Sequence, residues 1–299
     1  MKRIVLAYSG GLETSAAIPW LAETYGAEVV TLTLDIGQGL ELAHIRERGL
    51  AAGAVRAHVL DAREEFVRNY ILPALQAGAF SPEREFLGTE LSRPLIASRL
   101  VDLARMEGAS AVAHGCSCDD SDRASLETSV RALDSSLTII APVCEWSMSG
   151  PELAEYARAR NIPVTAGASH HNIDANVWGR LISGPDAAGE YKLTRPVADA
   201  PADAAFMEIE FEAGVPVRAN GVEMPLIEMI ESIETIAGTH GVGRMAGPNG
   251  AVAESPAAAV LHAALSRVPG TRDDAGARHL IHTVRVKLFK GLCEVEAVA

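Results

Sequence analysis

At 299 residues with 48% hydrophobic side chains, the chain has room for one large or two ordinary domains with a sizeable core. A net charge of −13 argues against passive binding to nucleic-acid phosphates, which needs clustered Lys and Arg. No apolar run approaches the thickness of a bilayer, and the opening MKRIVLAYSGG lacks the length and cleavage site of a secretory signal, so a cytoplasmic protein with no membrane partner is expected.

The first half alternates two periods. Apolar strand-like runs cover 3–8, 28–36, 55–60, 111–114 and 137–142. Helix-like segments cover 14–25, 40–51, 62–77, 93–107 and 122–133. In RPLIASRLVDLARMEG the apolar positions recur at three- and four-residue steps, and Gly108 follows as a cap. This alternation predicts an α/β fold with a doubly wound parallel sheet, which binds ligands at the carboxyl ends of its strands. From about 161 to 205 Gly, Pro, Asn and Asp crowd together as loop and boundary. Beyond it lie strands FMEIEFEAG and VPVRANG, helices over 225–237 and 256–266, and a last strand HTVRVKLFKG. That order predicts a nucleotide-binding domain over 1–165 and a smaller α+β domain over 166–299.

Between the first strand and first helix stands YSGGLETS. Gly10 and Gly11 lack a Cβ, so the backbone can bend sharply and approach a ligand. Ser9, Thr14 and Ser15 supply hydroxyls, and a helix starting near Leu12 aims N–H groups and a positive dipole end at the turn. Together they form a cradle suited to pyrophosphate, although an isolated Ser-Gly-Gly fits an ordinary strand–helix turn equally well.

The wider pattern resembles the argininosuccinate synthase family, within the ATP pyrophosphatase group. The matching stretches are VLAYSGGLETS, DIGQG, REEFVRNYILPALQAGA, LGTELSRPLIA, AVAHG, IIAP, IDANVWGR, FEAGVPVRANG, IAGTHGVGR and HTVRVKLFKG, in the family's order over nearly the whole chain. The resemblance implies a Rossmann-like ATP pyrophosphatase domain followed by a synthetase domain. It also implies an AMP-forming carbon–nitrogen ligase: ATP with Mg2+ adenylates the ureido oxygen of citrulline, and the amine of aspartate displaces AMP. By the same resemblance Ala7, Tyr8, Ser9, Gly10, Gly11, Thr14 and Ser15 line the phosphates, Leu34 lies near adenine and Gly115 near the nucleotide. Ser117, Ser121 and Asp122 fall in the aspartate site, and Ser9, Glu13 and Asp122 take catalytic roles. The partners are thus small amino-acid-like molecules.

The departures concentrate at the amino-acid sites. Glu13 stands where the family has Asp, and either contacts magnesium or is a helix-start carboxylate favoured by the dipole. After AHG the basic Gly-Lys-Gly of the family becomes Cys118, Asp119 and Asp120, Ser121 replaces Asn, and Ser125 replaces a citrulline-contacting Arg. Glu85 and Glu90 replace Tyr and Ser around LGT, Asn172 and Leu181 replace two Ser, and Ala253 replaces a Tyr. Two carboxylates in place of hydroxyls repel a substrate carboxylate. The expectation is therefore an acceptor other than citrulline, with a genuine argininosuccinate synthase and a non-catalytic nucleotide-binding remnant as the alternatives. The chain ends soon after VKLFKG, where the family continues into an extension that helps tetramers form, so the tetramer is in doubt and a dimer stays open.

Cys116 and Cys118 flank the presumed substrate loop, but Asp119 and Asp120 raise a neighbouring thiol's pKa and disfavour sulfur transfer. His170 and His171 have no further ligands in view, so no protein metal site is expected. His114 either touches the nucleotide or is a satisfied core histidine. Arg93 either neutralises phosphate or is a surface cation.

Overall fold

The computed structural model describes residues 2–39, 42–79, 88–118, 121–163, 172–184, 187, 191–246, 251–268 and 281–298. The chain divides into two compact units, Met1–Ala62 with Glu90–Ser169, and Arg63–Thr89 with His170–Ala299. The described residues 63–79 and 88–89 thus group with the second unit, whereas the sequence predicts a single boundary after 165.

The first unit is built on β1 (Lys2–Ala7), β2 (Ala27–Asp35), β3 (Arg56–Asp61), β4 (Ala111–Ala113) and β5 (Thr138–Ile140). They form one parallel sheet in the order β3-β2-β1-β4-β5. The order reverses beside β1, so β1 and β4 open the crevice in which such sheets take ligands. Ile4, Val5 and Leu6 are all buried, as expected of a central strand covered on both faces. The covering helices are α1 (Leu12–Tyr25) and α2 (Leu42–Ala51), then α5 (Gly88–Glu107), α6 (Ser121–Leu133), α7 (Pro142–Glu145) and α8 (Gly150–Ala159). The buried face of α1 is Ala16, Ala17, Ile18 and Leu21, which joins Leu6, Val29, Ile140 and Leu153 in one core cluster. Trp20 meets Trp146 edge to face at 5.9 Å between ring centroids. At the opposite, amino-terminal edge of the sheet, buried Glu107 collects Arg3, Arg56 and His58.

The second unit contains the interrupted helix α3 (Arg63–Phe66), a π turn over Val67–Ile71 and α4 (Leu72–Gln76), where the sequence suggested one helix over 62–77. Its two sheets are antiparallel throughout. One has the order β10-β9-β8-β13-β14 and the other β11-β12-β7-β6. The first uses β8 (Ala205–Glu212), β9 (Val215–Ala219), β10 (Val222–Glu223), β13 (Ile281–Phe289) and β14 (Leu292–Val298). The second uses β6 (Asn172–Asn176), β7 (Gly179–Ser183), β11 (Arg244–Ala246) and β12 (Val252–Glu254). Helices α9 (Leu226–Thr239) and α10 (Pro256–Leu265) pack together and on β9 and β13 respectively. Strands β6 and β7 fall inside the segment read from sequence as loop. Their turn residues disguised a hairpin whose apolar partners, such as Val252, come from far along the chain.

In this unit Glu254 is fully buried. Its carboxylate accepts bonds from the backbone N–H groups of Lys192, Leu193 and Thr194 at 2.9, 3.0 and 2.9 Å, and from Thr194 Oγ1 at 2.7 Å. Arg180 Nη1 adds a fifth donor at 3.2 Å. One buried carboxylate thereby pairs with the amides of an irregular segment, satisfying both sides.

Candidate active site

The chain leaves β1 through Ala7 and Tyr8 and turns at Gly10, whose φ of +81° suits glycine because it has no Cβ. Gly11 is the extended N-cap of α1 and has no side chain with which to cap the helix. The first-turn N–H groups of α1 therefore face the turn without the usual Ser, Thr, Asp or Asn cap. The sequence reading placed the helix start near Leu12, and it lies there.

The hydroxyls are tied together. Ser9 Oγ and Thr14 Oγ1 are 3.1 Å apart, Gly11 N–H donates to Ser9 Oγ at 3.3 Å, and Tyr8 Oη lies 2.9 Å from Ser15 Oγ. Thr14 and Ser15 are buried, while Ser9 and Gly11 are exposed. Burial raises the Tyr8 pKa, partly offset by the Ser15 hydrogen bond and the Arg48 charge, so Tyr8 is a neutral phenol that braces the loop from beneath. Glu13 is an exposed carboxylate in the first turn of α1.

Gly115, just past β4, comes against this loop. A Cβ placed on it would fall 2.6 Å from Thr14 Cγ2, closer than carbon atoms approach without displacement. The β1 and β4 loops are thus in contact through Thr14, across the crevice side of the sheet. Leu34, buried near the end of β2, supplies a carbonyl that accepts from Gln38 Nε2 at 2.5 Å. Ala7, Tyr8, Ser9, Gly10, Gly11, Thr14, Ser15, Leu34 and Gly115 therefore all lie at the carboxyl ends of β1, β2 and β4.

The loop after β4 has its own supports. His114 is buried, its Nδ1 accepts from Cys116 N–H at 3.3 Å, and its Nε2 lies 3.5 Å from Glu127 Oε1. An accepting Nδ1 puts the proton on Nε2, facing Glu127. Burial lowers the His114 pKa against the opposing pull of Glu127, so the imidazole is neutral near pH 7 and acts as a brace. Burial would raise the Glu127 pKa, but bonds to Arg123 at 2.6 Å and Arg131 at 2.8 Å outweigh it and hold it low. Ser117 is exposed on the loop, and Ser121 and Asp122 open α6. Asp122 Oδ2 accepts from Arg93 Nη2 at 2.9 Å, both side chains being largely buried. Arg93 is thereby an ion-pair partner at the start of α6 and not a free surface cation.

Cys118 and Cys144 bring their sulfurs together, which ties this loop to α7. Glu90 is exposed in the first turn of α5. Glu85, Asp119, Asp120, His170 and His171 lie outside the described residues, and Asn172 is described only by its backbone in β6. Among the described residues no group of three or more His, Cys, Asp or Glu is placed to hold a metal ion, and no helix is long and apolar enough to cross a membrane.

Sequence reasoning overlooked Arg48. It lies on α2 one turn from buried Ile45, and both face the loop: Arg48 Nη1 donates to the Gly10 carbonyl, and a Cβ on Gly10 would meet Ile45 Cγ1 at 3.2 Å. The available signal was the i,i+3 spacing of Arg48 from an apolar contact residue.

Comparisons with known proteins bear on the family of the chain. Residues 3–163 match the family model described as "Arginosuccinate synthase N-terminal HUP domain", and residues 171–247 match "Arginosuccinate synthase C-terminal domain". An argininosuccinate synthase of Halalkalibacterium halodurans is 43% identical over 253 residues, covering 82% of this chain and 62% of the relative. One of Bacillus thuringiensis strain Al Hakam is 44% identical over 253 residues, with 82% and 63% coverage. The chain thus spans less than two thirds of the length of these curated relatives. Among solved structures, a 4-thiouridine synthetase–RNA complex with bound ATP is similar at TM-score 0.39 and 16% identity, over 54% of this chain and 41% of that one, too distant a likeness to carry weight. The two matched family models, on a chain whose first crossover forms the expected loop, place this protein in the argininosuccinate synthase family.

Proposed function

We propose that this protein is an ATP-dependent, AMP-forming ligase that makes argininosuccinate from citrulline and aspartate. The observation that carries the reading is the closed contact of Ser9, Thr14 and Gly115 around an uncapped helix start, in a chain of this family. The loop supplies backbone N–H groups and a helix dipole for a polyphosphate, and Ser9 and Thr14 supply hydroxyl donors. In the first step the ureido oxygen of citrulline bonds to the α-phosphorus and the bond to pyrophosphate breaks. In the second the aspartate amine bonds to the activated carbon, AMP leaves with the electron pair, and the amine loses a proton. The loop's part is positioning and charge neutralisation of the departing pyrophosphate. Magnesium would neutralise phosphate charge, and Glu13 is the exposed carboxylate nearest to the loop's helix start that could meet it. The Arg93–Asp122 pair, with Ser117 and Ser121, would hold the aspartate amine and carboxylates.

A second reading keeps the chemistry and changes the acceptor. It is favoured by Glu90 at the start of α5 and Ser125 in α6, where a carboxylate and a short hydroxyl replace the groups that the family offers to citrulline. The identity to argininosuccinate synthases along most of the chain favours citrulline.

The test is pyrophosphate release from ATP and magnesium with citrulline, and with a panel of other ureido and carbonyl compounds, each with and without aspartate. Release with citrulline and formation of argininosuccinate support the main reading. Release only with another compound supports the changed acceptor. ATP binding without pyrophosphate release under every condition makes the protein a nucleotide-binding remnant and refutes both.

A further inference from the structure

The proposed nucleotide loop rests on a contact from outside itself, the bond from Arg48 on α2 to the Gly10 carbonyl. The peptide joining Gly10 to Gly11 is trans and planar, so its C=O and N–H point in opposite directions. With the carbonyl held by Arg48, the N–H of Gly11 is directed away from α2 and rests on Ser9 Oγ at 3.3 Å, a long bond for a backbone donor. Glycine on both sides leaves this peptide free to rotate, since neither residue has a Cβ to oppose it. Rotated by half a turn, it would present a carbonyl oxygen where the N–H now points, and a polyphosphate would be repelled.

We propose that Arg48 is a positioning residue for the polyphosphate: it locks the Gly10–Gly11 peptide with its N–H toward the anion and adds a positive charge behind the loop. This rests on the nucleotide-site reading above and adds a residue to it. Three further observations fit. Arg48 is half-buried, so its charge is screened less than that of an exposed arginine. A Cβ on Gly10 would lie 3.3 Å from Arg48 Nη1, so the guanidinium is packed on the loop and not merely near it. A Cβ on Gly49, the next residue, would lie 3.2 Å from Tyr8 Cε1, so the helix that carries Arg48 is seated against the strand that carries the loop. A guanidinium has five N–H donors, and the Gly10 bond uses one of them.

The experiment compares wild type, Arg48→Met and Arg48→Lys by calorimetric binding of ATP, AMP and inorganic pyrophosphate in the presence of magnesium, with thermal melts alongside. Arg48→Met keeps the apolar stem and removes the charge and donor. The expected result is a loss of about tenfold or more in affinity for ATP and pyrophosphate, as for a charge-assisted bond, and a change under about twofold for AMP. Arg48→Lys retains the charge and one donor and recovers part of the loss. A merely structural role would lower the melting temperature and weaken ATP and AMP alike, and that result overturns the proposal. So does unchanged pyrophosphate affinity in a folded Arg48→Met protein. If Arg48→Met does not fold, Arg48→Lys decides: affinity for ATP and pyrophosphate reduced while AMP binding is kept supports the proposal, and equal effects on all three overturn it. Wild-type protein that binds none of the three removes the nucleotide site itself, a failure distinct from that of Arg48 alone.

Discussion

Gly115→Ala tests the contact between the β1 and β4 loops. The added methyl would sit 2.6 Å from Thr14 Cγ2, against about 3.5–4.0 Å for a relaxed carbon–carbon contact, so roughly 1 Å must be found. Thr14 can yield by rotating its χ1, but rotation takes Oγ1 away from Ser9 Oγ, now 3.1 Å distant. Otherwise the two loops separate. Overpacking of this kind costs about 1–3 kcal/mol of stability, and an ångström of misplacement at a reacting group costs about 100-fold in rate. On the proposed ligase function, the expected phenotype is a lower melting temperature with pyrophosphate release reduced by roughly that factor. Adding Thr14→Ser removes the clashing methyl and keeps the hydroxyl, so the double variant should recover most of both losses. The assays are thermal melts and pyrophosphate release with ATP, citrulline and aspartate. Wild-type behaviour of Gly115→Ala would refute the steric reasoning, as would a double variant no better than the single one.

Glu234 supplies a pH dependence. Burial first, and then the nearby Glu254 and Glu231 charges, push its carboxyl up to about 7. The folded state then holds the proton more tightly than the unfolded chain, so Glu234 is neutral in both states in acid and destabilising once it is forced to ionise. The penalty grows from the ordinary carboxylate range to about pH 7 and is constant above it. Glu234→Gln should stabilise the protein at pH 8 by about 1–2 kcal/mol, allowing for partial exposure, and by almost nothing in acid; equal effects at both pH values would reject this. Glu254→Ala removes a fully buried acceptor of five bonds, one of them from the Arg180 guanidinium, so denaturant titration should show a loss of about 3–5 kcal/mol. Arg68→Ala, by contrast, breaks an i,i+4 pair with both side chains more than half exposed and should cost about 0.5 kcal/mol or less. Glu107 shows the opposite pH sign to Glu234. Burial alone would raise its pKa, but Arg56, Arg3 and His58 outweigh that and hold it low, so its stabilisation exists above the ordinary carboxylate range and fades in acid. Arg56→Ala should therefore lose stability at pH 7 and less in acid, as read from the difference between melts at the two pH values.

The sequence by itself determined the parallel sheet, because strands buried on both faces must read as unbroken apolar runs, and Ile4–Val5–Leu6 and the β2 run do so. It also determined the turn at Gly10 and Gly11, since a sharp bend ahead of an uncapped helix leaves few residue types to choose from. The family resemblance rests on such local strings. Only the tertiary structure decided what acts on those strings from a distance. Gly115 meets Thr14 about a hundred residues away in sequence, Arg48 reaches the Gly10 carbonyl from another helix, and Arg93 pairs with Asp122 across α5 and α6. The hairpin of β6 and β7 was hidden for the same reason, as its strand character depends on a partner at β12. Periodicity reports which face of a segment avoids water. It carries no record of which remote segment will cover that face, because that is settled by packing when the chain folds.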